Sequence, residues 1–422
     1  MPPEPTEFKP LTNSERIDFL DVLRGFALLG IFIANLPFFA GTAFLSDAEL
    51  DALPTASWDA AARAFQHIFV EAKFYSIFSL LFGIGFGLQE ERAKSRNQNF
   101  VVFFVWRMLA LLLIGVVHLI FWIGDILVLY ALVGLTLLLF RKLPAKELIV
   151  WAGLLLAIPV IWKGIQLKQN GVDFLASPFF TAGHNLNTIF QNPDSLVEQM
   201  KQPSWLDYFR CNLAGIAYRF GDFIYTSRFS KVLAMFVLGL WLVRSGKLDG
   251  WEQRRLFLWR TLVLGLFIGL PANLGVYLIG EQVDGYEANK LNVLKSLLHA
   301  VGVSPLAMAY VAGLGLLWSS PLKGCLRYLA PMGRMSLSNY FLQTLVGVFV
   351  FHGVGGGLIG TVGDLYLLLF GVVIYGSQLL LNSIWIRSFR FGPAEWLWRS
   401  LAYREIQPIK YPTSCRSKAV NP

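Results

Sequence analysis

The feature that most constrains this sequence is a series of long apolar runs that carry almost no charge. A membrane helix needs roughly 20 such residues, because it crosses a hydrocarbon layer of about 30 Å at about 1.5 Å per residue. Two of the runs are short, and a third begins beside Arg228 and Lys231. Reading along the chain gives about ten runs, at residues 19–40, 68–88, 101–122, 125–140, 147–167, 229–244, 256–279, 296–318, 335–352 and 365–386.

The composition agrees with this pattern. Hydrophobic residues make up 55% of the chain and charged residues only 15%, whereas about one quarter of a soluble domain is charged. We therefore predict an all-α, polytopic integral membrane bundle of about ten transmembrane helices. The predicted division is a cytoplasmic segment (1–18), a first half of five helices (19–167), an outer connection (168–228), a second half of five helices (229–388) and a cytoplasmic tail (389–422).

The basic residues predict the orientation of this bundle. A net charge of +9 would suit a nucleic-acid binder, but alternate connections hold 22 of the 36 lysines and arginines, and the opposite connections hold only 10. Positive residues gather on the cytoplasmic side of membrane proteins. Both termini are therefore expected in the cytoplasm, the expected partner is the lipid bilayer, and no nucleic acid is expected. The three cysteines share no ligand spacing, so no metal site is expected.

Within the outer connection, the stretch from Trp205 to Tyr225 mixes aromatic and charged residues. Such a mixture is typical of an amphipathic helix that lies along the membrane surface. With the predicted orientation, all five histidines also fall at or near the outer face: His67, His118, His184, His299 and His352. Histidine can take and give a proton near neutral pH. For any single one of them, an interfacial position without chemistry is the simpler interpretation.

His118 is the strongest of these candidates. It is the one imidazole in an apolar helix, and Asp125 follows seven residues later at a predicted hairpin turn that contains Gly124. Seven residues make two helical turns, and the turn itself can fold the carboxylate back toward the ring. A carboxylate against an imidazole fixes the tautomer that a general base requires. The alternative is a structural hydrogen bond that closes the hairpin.

The first run carries a second unusual set of residues. Arg16, Asp21 and Arg24 stand at its cytoplasmic start, and Asn35 follows Arg24 by eleven residues, or about three turns on the same face. An arginine at membrane depth is costly unless it is paired or lines a wet cavity. Asp21 is placed to pair with Arg24. The stripe indicates a passage through the protein, or alternatively a snorkelling arginine and an asparagine that holds helices together.

Two further segments are polar where a lipid-facing helix would not be. Lys73 lies in the second run, and the segment that it begins leads into Gly83, Gly85 and Gly87, a spacing that favours close helix contact. Asn339 and Gln343 are one turn apart in the ninth run. We predict that these polar side chains face the interior of the bundle and line the same passage.

These segments also carry a family resemblance over residues 14 to 404. The chain resembles the YeiB-like bacterial membrane proteins, domain-of-unknown-function family 418. The matching strings begin at Arg16, Lys73, His118, Gly333 and Phe389. That family is similar to the transmembrane acyltransferases, and the resemblance implies a location in the bacterial cytoplasmic (inner) membrane. In the sugar O-acyltransferases a catalytic histidine stands where this chain has Asn35. The heparan-type enzymes, which also have asparagine there, use a histidine before the second span, for which His67 is the nearest counterpart.

The main functional hypothesis is therefore an acyltransferase. It would take an acyl group, such as acetyl, from cytoplasmic acyl-CoA and pass it to a small-molecule or glycan acceptor at the outer face. Arg24, with Arg16 and Asp21, would bind the anionic donor, and His118 with Asp125, or else His67, would act as the base. The alternatives are a transporter or export facilitator, which the lack of a clear internal repeat disfavours, and a structural membrane protein. A homodimer is an open option.

Overall fold

The computed structural model describes residues 17–193, 195–283 and 289–411. Within these residues the chain forms helices and one isolated bridge between Phe389 and Lys410, without a regular β-strand. In chain order the helices are α1 (Asp18–Ala40), α2 (Asp47–Asp51), α3 (Ala56–Phe65), α4 (Lys73–Ser95), α5 (Phe100–Phe121), α6 (Leu127–Leu137), α7 (Ala145–Lys168), α8 (Ser177–Phe190), α9 (Leu196–Lys201), α10 (Trp205–Tyr225), α11 (Arg228–Arg244), α12 (Arg255–Gly280), α13 (Lys290–Trp318), α14 (Lys323–Arg327), α15 (Ala330–Arg334), α16 (Ser336–Phe351), α17 (Asp364–Ser388) and α18 (Pro393–Tyr403).

Helices occupy every one of the apolar runs, and the predicted all-α membrane class is confirmed. In the described part of the chain, seven are long and apolar enough to cross a bilayer: α1, the continuous stretch Ala56–Ser95, α5, α7, α12, α13 and α17. Helices α10 and α11 meet the same criterion only together, with a 63° bend between them. Leu127–Phe140 and α16 are apolar but shorter. The count of ten spans and the side on which the termini lie stay predictions.

Helix α1 lies at the centre of the bundle and is buried on most of its surface. It touches α15 backbone to backbone, because Gly25 and Gly333 face the opposing main chain. A side chain at Gly333 would overlap the carbonyl oxygen of Asp21, and one at Gly25 would overlap that of Leu329. This close approach brings Arg334, the last residue of α15, beside the acidic start of α1.

A second close contact joins α4 to α11. Gly83 faces the carbonyl oxygen of Phe236, and Gly239 faces that of Leu80, so that neither position has room for a side chain. Gly87 packs against Val243 in the same interface. Gly85, in contrast, turns away from α11 and faces a cavity.

The outer helices expose apolar side chains around the bundle. On α7, α12 and α17, Ile161, Phe267 and Leu380 are 61%, 76% and 71% exposed. Many other large apolar side chains of these helices are also exposed, and facing lipid accounts for their exposure. Most of the polar residues described below point into the bundle instead, including Gln378 and Asn382 on the inner face of α17.

Helix α10 covers the hairpin between α5 and α6. The Tyr208 hydroxyl donates to the carbonyl oxygen of Phe121, and the Arg219 guanidinium donates to that of Gly124 at 3.4 Å. These bonds satisfy carbonyl groups at the end of α5 and in the turn that follows it, which an apolar environment would otherwise leave unpaired at a cost. The hairpin that carries His118 and Asp125 is thereby fixed.

Candidate functional site

The structure brings His118 and Asp125 together. Nδ1 of His118, near the end of α5, lies 2.7 Å from Oδ2 of Asp125, in the turn before α6. A carboxylate can only accept a hydrogen bond, so Nδ1 carries the proton of the neutral ring and Nε2 carries the basic lone pair. Both side chains are buried, at 6% and 1% exposed.

The backbone of α6 fixes the orientation of the Asp125 carboxylate. Its second oxygen, Oδ1, accepts a hydrogen bond from the Val128 amide at 2.9 Å, in the first turn of α6. Gly115 on α5 lets the two helices approach, because a side chain there would lie 2.8 Å from that same amide nitrogen. The carboxylate is therefore held from both sides, as a residue that orients a histidine must be.

A third residue, Thr344 on α16, completes the arrangement. Its hydroxyl lies 2.9 Å from Nε2 of His118 and 3.2 Å from the carbonyl oxygen of Tyr340. Thr344 was not among the residues predicted from the sequence, and it is 226 residues from His118 along the chain. The available signal was its position in the polar start of the ninth run, next to Gln343. We refer to Asp125, His118 and Thr344 as the triad.

Aromatic rings enclose the triad. The imidazole stacks on Phe341 with a centroid distance of 4.9 Å, and the rings of Tyr340 and Trp122 lie at 4.9 and 6.0 Å. The Thr344 hydroxyl can serve the ring either as a donor or as an acceptor. When His118 is neutral the Thr344 hydroxyl donates to Nε2, and when it is protonated Nε2 donates to Thr344, whose proton then goes to Tyr340.

A separate cavity of about 240 Å³ opens where α1, α4, α5, α15 and α18 meet. This is the end of the bundle that the sequence predicts to face the cytoplasm. Its lining holds two carboxylates and seven arginines: Asp21, Glu395, Arg24, Arg92, Arg96, Arg107, Arg334, Arg390 and Arg399. We call it the arginine cavity. A surplus of positive charge in a concave site attracts and concentrates anions.

At the start of α1, the predicted pairing of Asp21 with Arg24 is present. An Arg24 nitrogen lies 2.7 Å from Oδ1 of Asp21, and Nε of Arg334 lies 3.5 Å from Oδ2. Asp21 is buried, whereas both guanidinium groups are 28% exposed and line the arginine cavity. One carboxylate thus orients two arginines at the cavity wall.

Two further arginines rest on aromatic rings. Arg107 of α5 lies over the Trp398 ring at 3.9 Å, and Arg399 lies over Phe391 at 4.5 Å. Sequence reasoning missed both residues, although Arg107 is the one arginine inside the run 101–122 and an arginine in a membrane helix is a functional candidate by default. The rings supply flat apolar surfaces beside the charges.

Glu395 joins the cavity to α16. Its carboxylate accepts hydrogen bonds from the Leu337 and Ser338 amides at 2.5 and 3.1 Å, and from the Ser338 hydroxyl at 2.5 Å. These are free donors at the start of α16. Burial raises the pKa of Glu395, although the hydrogen bonds oppose that effect. Helix α18 is thereby fixed to the helix that carries Thr344.

Asn339 and Gln343 belong to a buried row of amides between α16 and α17. Gln343 donates to Gln378 at 3.0 Å, Gln378 donates to the Asn339 carbonyl oxygen at 3.2 Å, and Asn382 donates to the Asn339 side chain at 2.9 Å. The amide oxygen of Gln343 is buried, and within the described residues it has no hydrogen-bond partner. Both residues face the interior, and neither lines the arginine cavity.

The remaining predicted residues lie elsewhere. His67 is half-exposed in a π-helical turn and contacts Glu71, while Lys73 is buried and donates to the His67 carbonyl oxygen at 2.7 Å. Asn35 is half-buried on α1, outside the cavity lining. Arg16 lies outside the described residues. Among the described residues, no group of three or more His, Cys, Asp or Glu side chains could hold a metal ion.

Fold and site together define a multi-pass, all-helical membrane protein with an arginine-lined cavity and a buried carboxylate–imidazole–hydroxyl triad. The chain belongs to the family described as "Protein of unknown function (DUF418)", whose model matches residues 242–405. The YeiB-like resemblance is confirmed.

The similarity to relatives extends over nearly the whole chain. The uncharacterised protein YxaH of Bacillus subtilis (strain 168) is 31% identical over 413 residues, which cover 96% of this chain and 98% of the relative. The uncharacterised protein YeiB of Escherichia coli (strain K12) is 30% identical, with 95% and 100% covered. No solved structure matches the chain.

Proposed function

We propose that this protein is a membrane-embedded acyltransferase of the bacterial inner membrane, with both termini in the cytoplasm. It would take an acyl group from cytoplasmic acyl-CoA and transfer it to a hydroxyl or amine acceptor at the outer face. The observation that carries the proposal is the arginine cavity, with seven guanidinium groups and two carboxylates in its lining. Acyl-CoA carries a diphosphate and a further phosphate, which arginine binds in bidentate fashion.

The other linings of the cavity also suit this donor. Trp398 and Phe391 line the cavity together with the arginines that lie over them, and aromatic rings and guanidinium planes both stack on purine bases. A volume of about 240 Å³ is below the roughly 300–1,000 Å³ of typical ligand pockets. The cavity therefore fits the thioester arm, with the nucleotide at its arginine-rich mouth.

The base of the proposed reaction is His118, oriented by Asp125. Neither residue lines the arginine cavity, but both the cavity and the triad are connected to α16. Ser336 lines the cavity, and Thr344 follows eight residues later, about 12 Å along the helix axis. The thioester must pass along α16 beside Tyr340 to reach the imidazole. Transfer therefore requires the helices around Tyr340 to part when the donor binds.

The proposal is tested on the purified protein in detergent, with CoA binding by calorimetry and thiol release from acetyl-CoA. Arg399→Gln removes a cavity charge, and Arg404→Gln is the matched control, because Arg404 also rests on an aromatic ring, that of Trp106, outside the cavity. We expect CoA to bind about 10-fold more weakly to Arg399→Gln, as the loss of one charged hydrogen bond predicts, and equally well to the control.

Two results would count against the proposal. If the wild-type protein does not bind CoA, the cavity serves another anion. If CoA binds but no acyl-CoA releases thiol, acyl transfer is wrong, and export through the same polar interior becomes the better explanation.

A further inference from the structure

We propose that Thr344 is the first acyl acceptor, so that the reaction passes through an acyl ester on this residue. The inference rests on the proposed function and identifies a covalent intermediate within it. The chemistry requires a hydroxyl, an imidazole nitrogen able to take its proton and a carboxylate that holds the ring. The three groups are hydrogen-bonded one to the next. The Thr344 hydroxyl oxygen lies 2.9 Å from Nε2 of His118, and Nδ1 of His118 lies 2.7 Å from Oδ2 of Asp125.

The hydrogen-bond partners of the two imidazole nitrogens favour transfer of the acyl group to Thr344 before the acceptor reacts. Nδ1 is taken by Asp125 and Nε2 faces the Thr344 hydroxyl. An external acceptor has no free ring nitrogen to contact, whereas Thr344 is already within hydrogen-bond distance of the base. The first proton that His118 can remove is therefore that of Thr344.

The placement of Thr344 agrees with a donor that arrives from the arginine cavity. It lies on α16, the same helix that reaches the cavity wall at Ser336. The hydroxyl shares its proton between Nε2 and the Tyr340 carbonyl oxygen at 3.2 Å. A shift toward Nε2 leaves an oxygen nucleophile at the end of the route that the thioester follows.

The first step is balanced within the site. The Thr344 oxygen bonds to the thioester carbonyl carbon as its proton moves to Nε2 of His118. The carbon–sulfur bond then breaks, and the thiolate takes the proton from Nε2. The products are free CoA thiol and the Thr344 ester.

The second step reverses these roles for the acceptor. The acceptor hydroxyl or amine gives its proton to Nε2 and attacks the ester carbonyl carbon. The bond to the Thr344 oxygen breaks, and that oxygen recovers the proton. Donor and acceptor need not be present together, so they can use the site in turn from opposite sides.

The test omits the acceptor. Wild-type protein in detergent is incubated with acetyl-CoA that carries a radiolabelled acetyl group, and peptide mass spectrometry locates the label. We expect up to one acetyl group per chain on Thr344, with an equal amount of released thiol. Thr344→Val should reduce labelling to background, while Thr344→Ser, which keeps a hydroxyl, should restore it.

Thr261→Val is the matched control. The Thr261 hydroxyl donates to the carbonyl oxygen four residues earlier at 2.9 Å, and the Thr344 hydroxyl makes the same kind of bond at 3.2 Å. Thr261, however, lies on α12 outside the triad. Its variant should label like the wild type, and all variants are compared at equal monodispersity in size-exclusion chromatography.

The outcomes separate the inference from the proposed function. An acetyl group on His118, or acyl transfer to an acceptor that survives in Thr344→Val, would overturn the Thr344 intermediate while leaving acyl transfer in place. If the wild-type protein releases no thiol from any acyl-CoA, both ideas fail.

Discussion

Replacing Asp125 with asparagine should disable the base while the fold stays intact. The structure fixes how the new amide must lie. The Val128 amide donates to Oδ1 of Asp125 at 2.9 Å, so the asparagine oxygen stays on that side and its NH₂ group faces Nδ1 of His118. Nδ1 must then become the acceptor, and the proton moves to Nε2. A ring protonated at Nε2 cannot take the proton of Thr344 or of an acceptor.

The magnitudes follow from counting hydrogen bonds. Asp125→Asn keeps both bonds and should cost no more than about 1 kcal/mol of unfolding free energy. Asp125→Ala leaves Nδ1 of His118 and the Val128 amide without the hydrogen bonds that Asp125 makes with them. This loss should lower the unfolding free energy by roughly 1–3 kcal/mol for each buried group. The rate of acyl transfer should fall by about 10⁴-fold in Asp125→Asn, the order of magnitude expected for a wrong tautomer in such a triad.

The assay pairs thiol release from acetyl-CoA with thermal unfolding in detergent, followed by tryptophan fluorescence. The reasoning requires a large loss of rate with a small loss of stability in Asp125→Asn, and both losses in Asp125→Ala. If Asp125→Asn keeps more than a tenth of the wild-type rate, the tautomer argument is refuted. If it unfolds as easily as Asp125→Ala, the pair is mainly structural.

Three other predictions use separate parts of the molecule. Gly333→Ala forces a methyl group onto the Asp21 carbonyl oxygen and should lower the unfolding free energy by about 1–3 kcal/mol. Gly164 has open space around it, so Gly164→Ala should lose no stability in the same thermal unfolding assay. Equal stability of the two variants would contradict the packing argument. Burial raises the pKa of Glu395, so the folded state holds that proton more tightly than the unfolded state. The protonated Glu395 side chain therefore stabilises the fold at pH values below the usual pKa of a glutamate. This stabilisation is lost as the pH rises through the raised pKa. Thermal unfolding across a pH series should show this loss in the wild type and a flatter profile in Glu395→Gln, and an opposite slope would count against it. His67→Gln should keep the acyl-transfer rate within about 2-fold, since His67 is half-exposed and outside the triad; a loss as large as that of Asp125→Asn would instead make His67 the base.

Much of the fold could be predicted because hydropathy in a membrane protein is a local property. Each apolar run gave a helix, and the seven-residue spacing of His118 and Asp125 was enough to suggest their contact. Thr344 and the arginine cavity depend instead on tertiary packing. Their parts come from helices far apart in sequence, joined through backbone contacts such as that of Gly333 with α1.

The tertiary contacts of the C-terminal segment could not be predicted from the sequence either. The sequence predicts residues 389–422 as a cytoplasmic tail, and its basic residues suggest only an orientation. In the structure α18 folds back on α5 and α16, and it brings Arg399, Trp398 and Glu395 into the cavity wall. Nothing local in the sequence separates an arginine that marks topology from one that lines a site.

The charge balance of the arginine cavity affects the stability of the fold. Among the described lining residues, seven guanidinium groups outnumber two carboxylates. Repulsion between neighbouring guanidinium groups opposes folding until anions screen it. Moderate salt should therefore raise the melting temperature, the reverse of its effect on surface ion pairs. An anion bound there acts as a missing counterion, and at 100 times its dissociation constant it should add about 2.7 kcal/mol to the unfolding free energy. Acyl-CoA bound in the cavity would then stabilise the fold as well as serve as the substrate.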